Sequence, residues 1–149
     1  MTADKYPGII RLFHWSMAIL VLMQFALGFL MEDLPKQSVF IHAGLGFLIL
    51  ALTVVRLALN LRLKRIFPPK PDGFSDKEWK ITKIGHGWIY ALLIAVPVTG
   101  ALGFFTGEHD LEEIHETLVW IFILLLAGHI AITIKHQIFD KKKIIQRMT

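Results

Sequence analysis

Residues 114–137 read IHETLVWIFILLLAGHIAITIKHQ. From Thr117 to Ile134 there is no acidic or basic residue apart from His129. That run is close to the roughly 20 residues a helix needs to cross a hydrocarbon core of about 30 Å. His115 and His129 are fourteen residues apart, close to four turns at 3.6 residues per turn, so both rings leave the same face, about 21 Å apart along the axis. One apolar helix therefore presents two imidazoles at two depths.

Three further apolar runs precede it, at 12–31, at 37–61 with Arg56 as the one interruption, and at 84–107. Hydrophobic residues make up 54% of the chain and charged residues 19%, against roughly 25% charged in an ordinary soluble domain. The mean hydropathy is +0.56. These features predict an all-α, integral membrane four-helix bundle, a single domain over 1–149 with spans at 12–31, 37–61, 84–107 and 114–137. The first run is too long for a secretory leader, so no cleaved segment is expected. There is no cysteine, which excludes disulfides, thiolate-bound zinc, iron–sulfur clusters and the two-cysteine attachment of c-type haem.

The connections differ sharply in charge. Residues 62–83 hold Arg62, Lys64, Arg65, Lys70, Lys77, Lys80 and Lys83 around a Pro68-Pro69-Lys70-Pro71 stretch that cannot continue a helix. Residues 108–116 hold Glu108, Asp110, Glu112, Glu113 and Glu116, with no lysine or arginine. Both termini are basic, with Lys5 and Arg11 at one and Lys135, Lys141-Lys142-Lys143 and Arg147 at the other. The positive-inside rule then puts both termini and the lysine-rich loop in the cytoplasm. The expected location is a membrane, crossed several times. The net charge of +4 belongs to groups that anchor spans to membrane lipid, and nucleic acid is not an expected partner.

The chemistry lies in the histidines, at 14, 42, 86, 109, 115, 129 and 136. Ionisable groups within spans are costly and point to function. By depth they form two pairs. His14 and His129 lie near the cytoplasmic ends of the first and fourth spans, and His42 and His115 near the outer ends of the second and fourth. Each pair offers two neutral imidazoles from different helices, the arrangement that bis-histidine ligation of a haem iron requires. His86 and His136 also reach the cytoplasmic depth, so depth alone leaves other pairings open. His109 reads as a solvated residue of the acidic loop. Gly44 and Gly46 after His42, Gly128 before His129, and Gly28, Gly100 and Gly103 within spans would let a porphyrin or a neighbouring helix approach the backbone closely. Arg56, with Arg11 as a second candidate, suits a haem propionate. Pro97 is expected to kink the third span.

Several motifs together resemble the bacterial cytochrome b(561) family: Arg11-Leu12-Phe13-His14-Trp15, Ile41-His42-Ala43-Gly44, Arg56, Gly85-His86-Gly87 with Ile89-Tyr90, Pro97-Val98-Thr99-Gly100, and Ile114-His115-Glu116-Thr117-Leu118. The resemblance covers all four spans in order. It implies a di-haem membrane cytochrome with two non-covalent haem b groups, one on His14 and His129 and the other on His42 and His115. It also implies electron exchange with membrane quinone such as ubiquinone. One branch resembles a superoxide oxidase, but its loop between the third and fourth spans is long. Here that loop is short and acidic, which would repel an anion; a periplasmic redox protein with a basic face is the better expected donor.

A quinone is expected at the cytoplasmic rim, where His86, His136 and Lys135 could hydrogen-bond an oxygen or relay a proton. Two other functions fit the same residues. The histidines could carry a transition metal in a small transporter, or the chain could be the haem-bearing anchor subunit of a larger redox complex.

Overall fold

The structure is a computed structural model and describes residues 5–62, 70–142 and 144–149. It contains four long helices, α1 (Gly8–Phe29), α2 (Ser38–Arg62), α3 (Asp76–Thr106) and α4 (His109–Ile138), followed by a short 3-10 turn at Ile145–Arg147. Each long helix is apolar and long enough to cross a membrane, and no strand occurs among the described residues. The expected all-α four-helix fold is therefore present. Lys64, Arg65, the Pro68-Pro69 pair and Lys143 lie outside the described residues.

The helix boundaries differ from the apolar runs for local reasons. Pro7 precedes α1, a position where its missing N–H leaves no helical bond unmade. α3 starts at Asp76, well before the apolar run at 84, because Ser75 and Glu78 form a capping box. The Glu78 N–H donates to Ser75 Oγ at 3.2 Å, and the Ser75 N–H donates to Glu78 Oε2 at 2.8 Å. Ser75→Ala is expected to weaken this first turn by about 1 kcal/mol, so amide exchange over residues 76–79 should speed up roughly fivefold. Unchanged exchange there would disprove the assignment.

At its other end α3 stops at Gly107, which adopts φ 67°, a left-handed conformation cheap only for glycine. Only Gly107 and Glu108 separate α3 from α4. The acidic segment read as a loop is therefore largely helical. Asp110 and Glu112 occupy the first turn of α4, where carboxylates complement the positive helix end. His109 is the first helical residue rather than a loop residue; it remains exposed, with Nδ1 3.7 Å from Glu113.

Consecutive helices pack as neighbours, α1 on α2, α2 on α3 and α3 on α4. α1 and α4 meet through aromatic side chains, Phe25 on Phe122 at 5.6 Å and Phe29 on Trp120 at 5.4 Å. The shared core is small: Met17, Val21, Ile49, Leu92, Leu93 and Phe122. Large apolar side chains such as Leu22, Phe105 and Leu124 point outward, as they do where the solvent is lipid. The chain termini meet at one end, where Tyr6 N–H donates to Arg147 O at 3.1 Å and Trp15 Nε1 to Met148 O at 2.9 Å. The acidic residues of α4 mark the opposite end.

Candidate functional site

α2 and α4 both begin at the acidic end, so His42 and His115 reach the same depth. Their ring centroids are 6.3 Å apart with planes at 89°. His115 Nδ1 lies 2.9 Å from the Val96 carbonyl of α3. A carbonyl only accepts, so Nδ1 carries the proton and Nε2 is left as a free lone pair. Thr99 Oγ1 donates to the Ala95 and Val96 carbonyls at 2.9 and 3.0 Å, next to Pro97, which lies inside the unbroken α3. The His115 ring presses on Gly100, where a Cβ would come within 2.8 Å of its Cε1. The His42 ring rests on Gly28, where a Cβ would lie 3.4 Å from its Cε1.

His42 Nδ1 is buried without a partner. A cavity of about 200 Å³ lies here, lined by His42, His115, Gly46, Pro97, Gly100 and Gln24. Gln24 is a residue that sequence reasoning missed. Its Nε2 donates to the His42 carbonyl at 2.8 Å, while its Oε1 is buried and unpartnered. It also packs where a Cβ on Gly46 would be, 3.4 Å from its Nε2. An uncharged amide in an otherwise apolar span was the signal available for finding it.

A second histidine group lies nearer the termini. The His86 and His129 rings are 5.2 Å apart with planes at 90°. His86 Nδ1 donates to Thr82 O at 2.8 Å. His14 stands edge-on to Trp15 at 5.4 Å and within electrostatic reach of Arg56, His129 and His86. The predicted partners His14 and His129 thus share one region, and His86 joins them as a third imidazole. Arg56 points into the same region and lies 5.6 Å from the centre of the Tyr90 ring. Arg11 is committed elsewhere, donating to the backbone oxygen of Thr149.

His136 and Lys135 fall two turns further along α4, apart from His86. His136 is buried, its Nδ1 lies 2.6 Å from Asp140 Oδ2, and its ring packs against Phe74 with centroids 4.8 Å apart and planes tilted by 50°. Lys135 Nζ reaches the same carboxylate at 3.4 Å. The bond from His136, with help from Lys135, holds the Asp140 carboxyl below its ordinary range. Glu78 completes a group with His136 and Asp140, but its Oε1 is already paired with Lys142 at 2.8 Å. Among the described residues this is the one group of three or more potential metal-binding side chains gathered closely enough for one ion. It lies at the helix ends, not among the four span histidines.

A family model described as prokaryotic cytochrome b561 matches residues 5–149. The chain belongs to the prokaryotic cytochrome b561 family. Cytochrome b561 homolog 2 of Escherichia coli (strain K12) is 26% identical over 178 residues, an alignment that covers 99% of this chain and 92% of that protein. Cytochrome b562 of Cereibacter sphaeroides is 28% identical over 155 residues, covering 95% of each. A b561-family chain is a membrane cytochrome of electron transfer, and its prosthetic group is haem b.

The residues present suit that group. With no cysteine in the chain, the haem must be held by non-covalent ligands. His115 has one ring nitrogen fixed as a donor and the other free, the tautomer a ligating imidazole needs. His42 and Gln24 both line the adjoining cavity, and each has a buried polar atom without a partner, His42 Nδ1 and Gln24 Oε1, where buried polar atoms ordinarily have one.

Proposed function

We propose that the chain is a di-haem b-type cytochrome that carries electrons across the bilayer between a donor and the quinone pool. His42 and His115 would hold one haem, and His14 and His129 the other. The observation that carries this reading is the His42–His115 pair. Two imidazoles that would hold one metal between them, each about 2 Å from it through nitrogen, need ring centres on the order of 6 Å apart, and these stand at 6.3 Å. Haem iron, when bound, supplies a one-electron couple. The chain's residues supply ligands, exclude water and place the two sites at different depths.

Both termini and the lysine-rich connection would face the cytoplasm of a bacterial inner membrane by the positive-inside rule. The acidic end would then meet the periplasm. Glu32, Asp33, Glu108, Asp110, Glu112, Glu113 and Glu116 are all exposed there, with Lys36 nearby. That charge disfavours superoxide as donor and favours a redox protein with a basic face. Quinone would bind on the cytoplasmic side. His136 donates through Nδ1 to Asp140, which leaves Nε2 as an acceptor for the hydroxyl of the quinol form, with Lys135 beside it as a donor to a quinone oxygen and His86 deeper in the bundle.

The transporter reading draws less support, because among the described residues no three of the span histidines bring ring nitrogens close enough together for one ion. A role as the haem-bearing subunit of a larger complex uses the same ligands. The test is a dithionite-reduced minus oxidised spectrum of purified protein with pyridine haemochrome quantification. About two low-spin b haems per chain are expected, reoxidised by added ubiquinone analogue. No haem after expression with ample haem supply would overturn the reading.

A further inference from the structure

Arg56 lies well inside the apolar α2, six residues before its end at Arg62. A guanidinium keeps its charge at any accessible pH, so removing it from water is costly unless an anion accompanies it. No carboxylate partners it among the described residues. Its Nε is buried with no acceptor, and its closest contact of that kind is a weak one from NH1 to Met17 Sδ at 3.9 Å. It does lie over an aromatic face, with Tyr90 5.6 Å away.

Tyr90 is itself held. Asn60 Nδ2 donates to the Tyr90 hydroxyl oxygen at 3.0 Å, and Asn60 is 4% exposed. Asn60 sits one turn beyond Arg56 on α2, so the two side chains share a face. Tyr90 sits one turn beyond His86 on α3, and His86 faces His129. The order Asn60, Tyr90, Arg56 therefore runs across the α2–α3 seam and ends beside the histidine group near the termini. A buried asparagine is expensive unless its hydrogen bonds are met, and this one spends a donor on fixing a tyrosine.

We infer that Asn60 and Tyr90 are positioning residues that hold the Arg56 guanidinium for a carboxylate of the cofactor bound by His14 and His129, and so set that haem's reduction potential apart from the other's. This rests on the di-haem reading. A fixed cation near the iron favours the reduced state, which carries one positive charge fewer, so the site beside Arg56 is easier to reduce than it would otherwise be. The hydroxyl of Tyr90, through Asn60, keeps the ring under the guanidinium.

Optical redox titration of the purified holoprotein tests this, because it resolves the two haems without any measurement of turnover. In Arg56→Gln, the reduced-to-oxidised ratio of one haem at fixed poise should fall about tenfold, which is about 59 mV for one electron. The other haem should be unmoved. Tyr90→Phe keeps the ring and removes the hydroxyl; it should give a smaller fall, about threefold, at the same haem with haem content unchanged. Asn60→Leu should act like Tyr90→Phe, and in an Arg56→Gln background it should add nothing, since it acts through the arginine.

Equal shifts of both haems, no shift in Arg56→Gln, or an Asn60→Leu effect that persists without the arginine would overturn the inference. If Asn60→Leu fails to accumulate, the double variant Tyr90→Phe/Arg56→Gln makes the same comparison. A haemochrome count of one haem per chain in wild type would overturn both this inference and the di-haem reading, and two haems that titrate at one potential would overturn this inference alone. Two components that ignore Arg56→Gln would overturn this inference alone.

Discussion

His115→Ala should lower the haem content from about two to about one per chain, with the remaining haem still low-spin. The loss should be complete at that site because His115 is both a proposed ligand and the residue whose Nδ1 anchors to Val96; alanine supplies neither function. His42→Ala should remove the same haem. His14→Ala and His129→Ala should each remove the other one, which leaves a spectrum distinguishable by its potential. His86→Ala is the informative companion. If His14 would hold the haem together with His129, His86→Ala retains both haems; if it removes one, His86 takes the place assigned to His14. Haemochrome quantification and low-temperature EPR decide between them, and His115→Ala with both low-spin signals intact would refute the ligand assignment at the acidic end.

Gly100→Ala should weaken the same haem by tenfold or more in occupancy at limiting haem, equivalent to about 1.4 kcal/mol. The added Cβ would come within 2.8 Å of His115 Cε1 and 2.9 Å of its Nδ1, so the ring must move off the Val96 carbonyl. The sign makes this a clean experiment. Glycine to alanine within a helix is intrinsically favourable by about 1 kcal/mol, so lost haem with unchanged or greater helix stability cannot come from damage to α3. Gly87→Ala is the control, because a Cβ there meets nothing within 4 Å. A titration in which Gly100→Ala binds haem as wild type does would show that the His115 ring can move aside at no cost.

The four helices were readable because lipid imposes a long uncharged run on every span, and that signal needs no tertiary context. The boundaries were less readable. α3 begins at Asp76 through a capping box in polar sequence, and α4 begins at His109 in acidic sequence; local hydrogen bonding and the helix dipole decided these, not hydropathy. The spacing of His115 and His129 on one face was legible for a similar reason, since it follows from helix periodicity alone.

The partners of each ring were not legible in this way. Sequence can order residues by depth, but several side chains share a depth, and only packing determines which of them meet. Packing brought His86 against His129, set Gln24 beneath His42, and turned Arg11 to the C-terminal residue while Arg56 stayed without a carboxylate. It also separated His136 and Lys135 from His86. The sequence by itself determined an all-helical membrane chain with imidazoles at two depths, because hydrophobicity and periodicity act within a single helix. The tertiary structure alone decided which imidazoles, glycines and cations face one another, because those contacts depend on how one helix rotates and slides against the next.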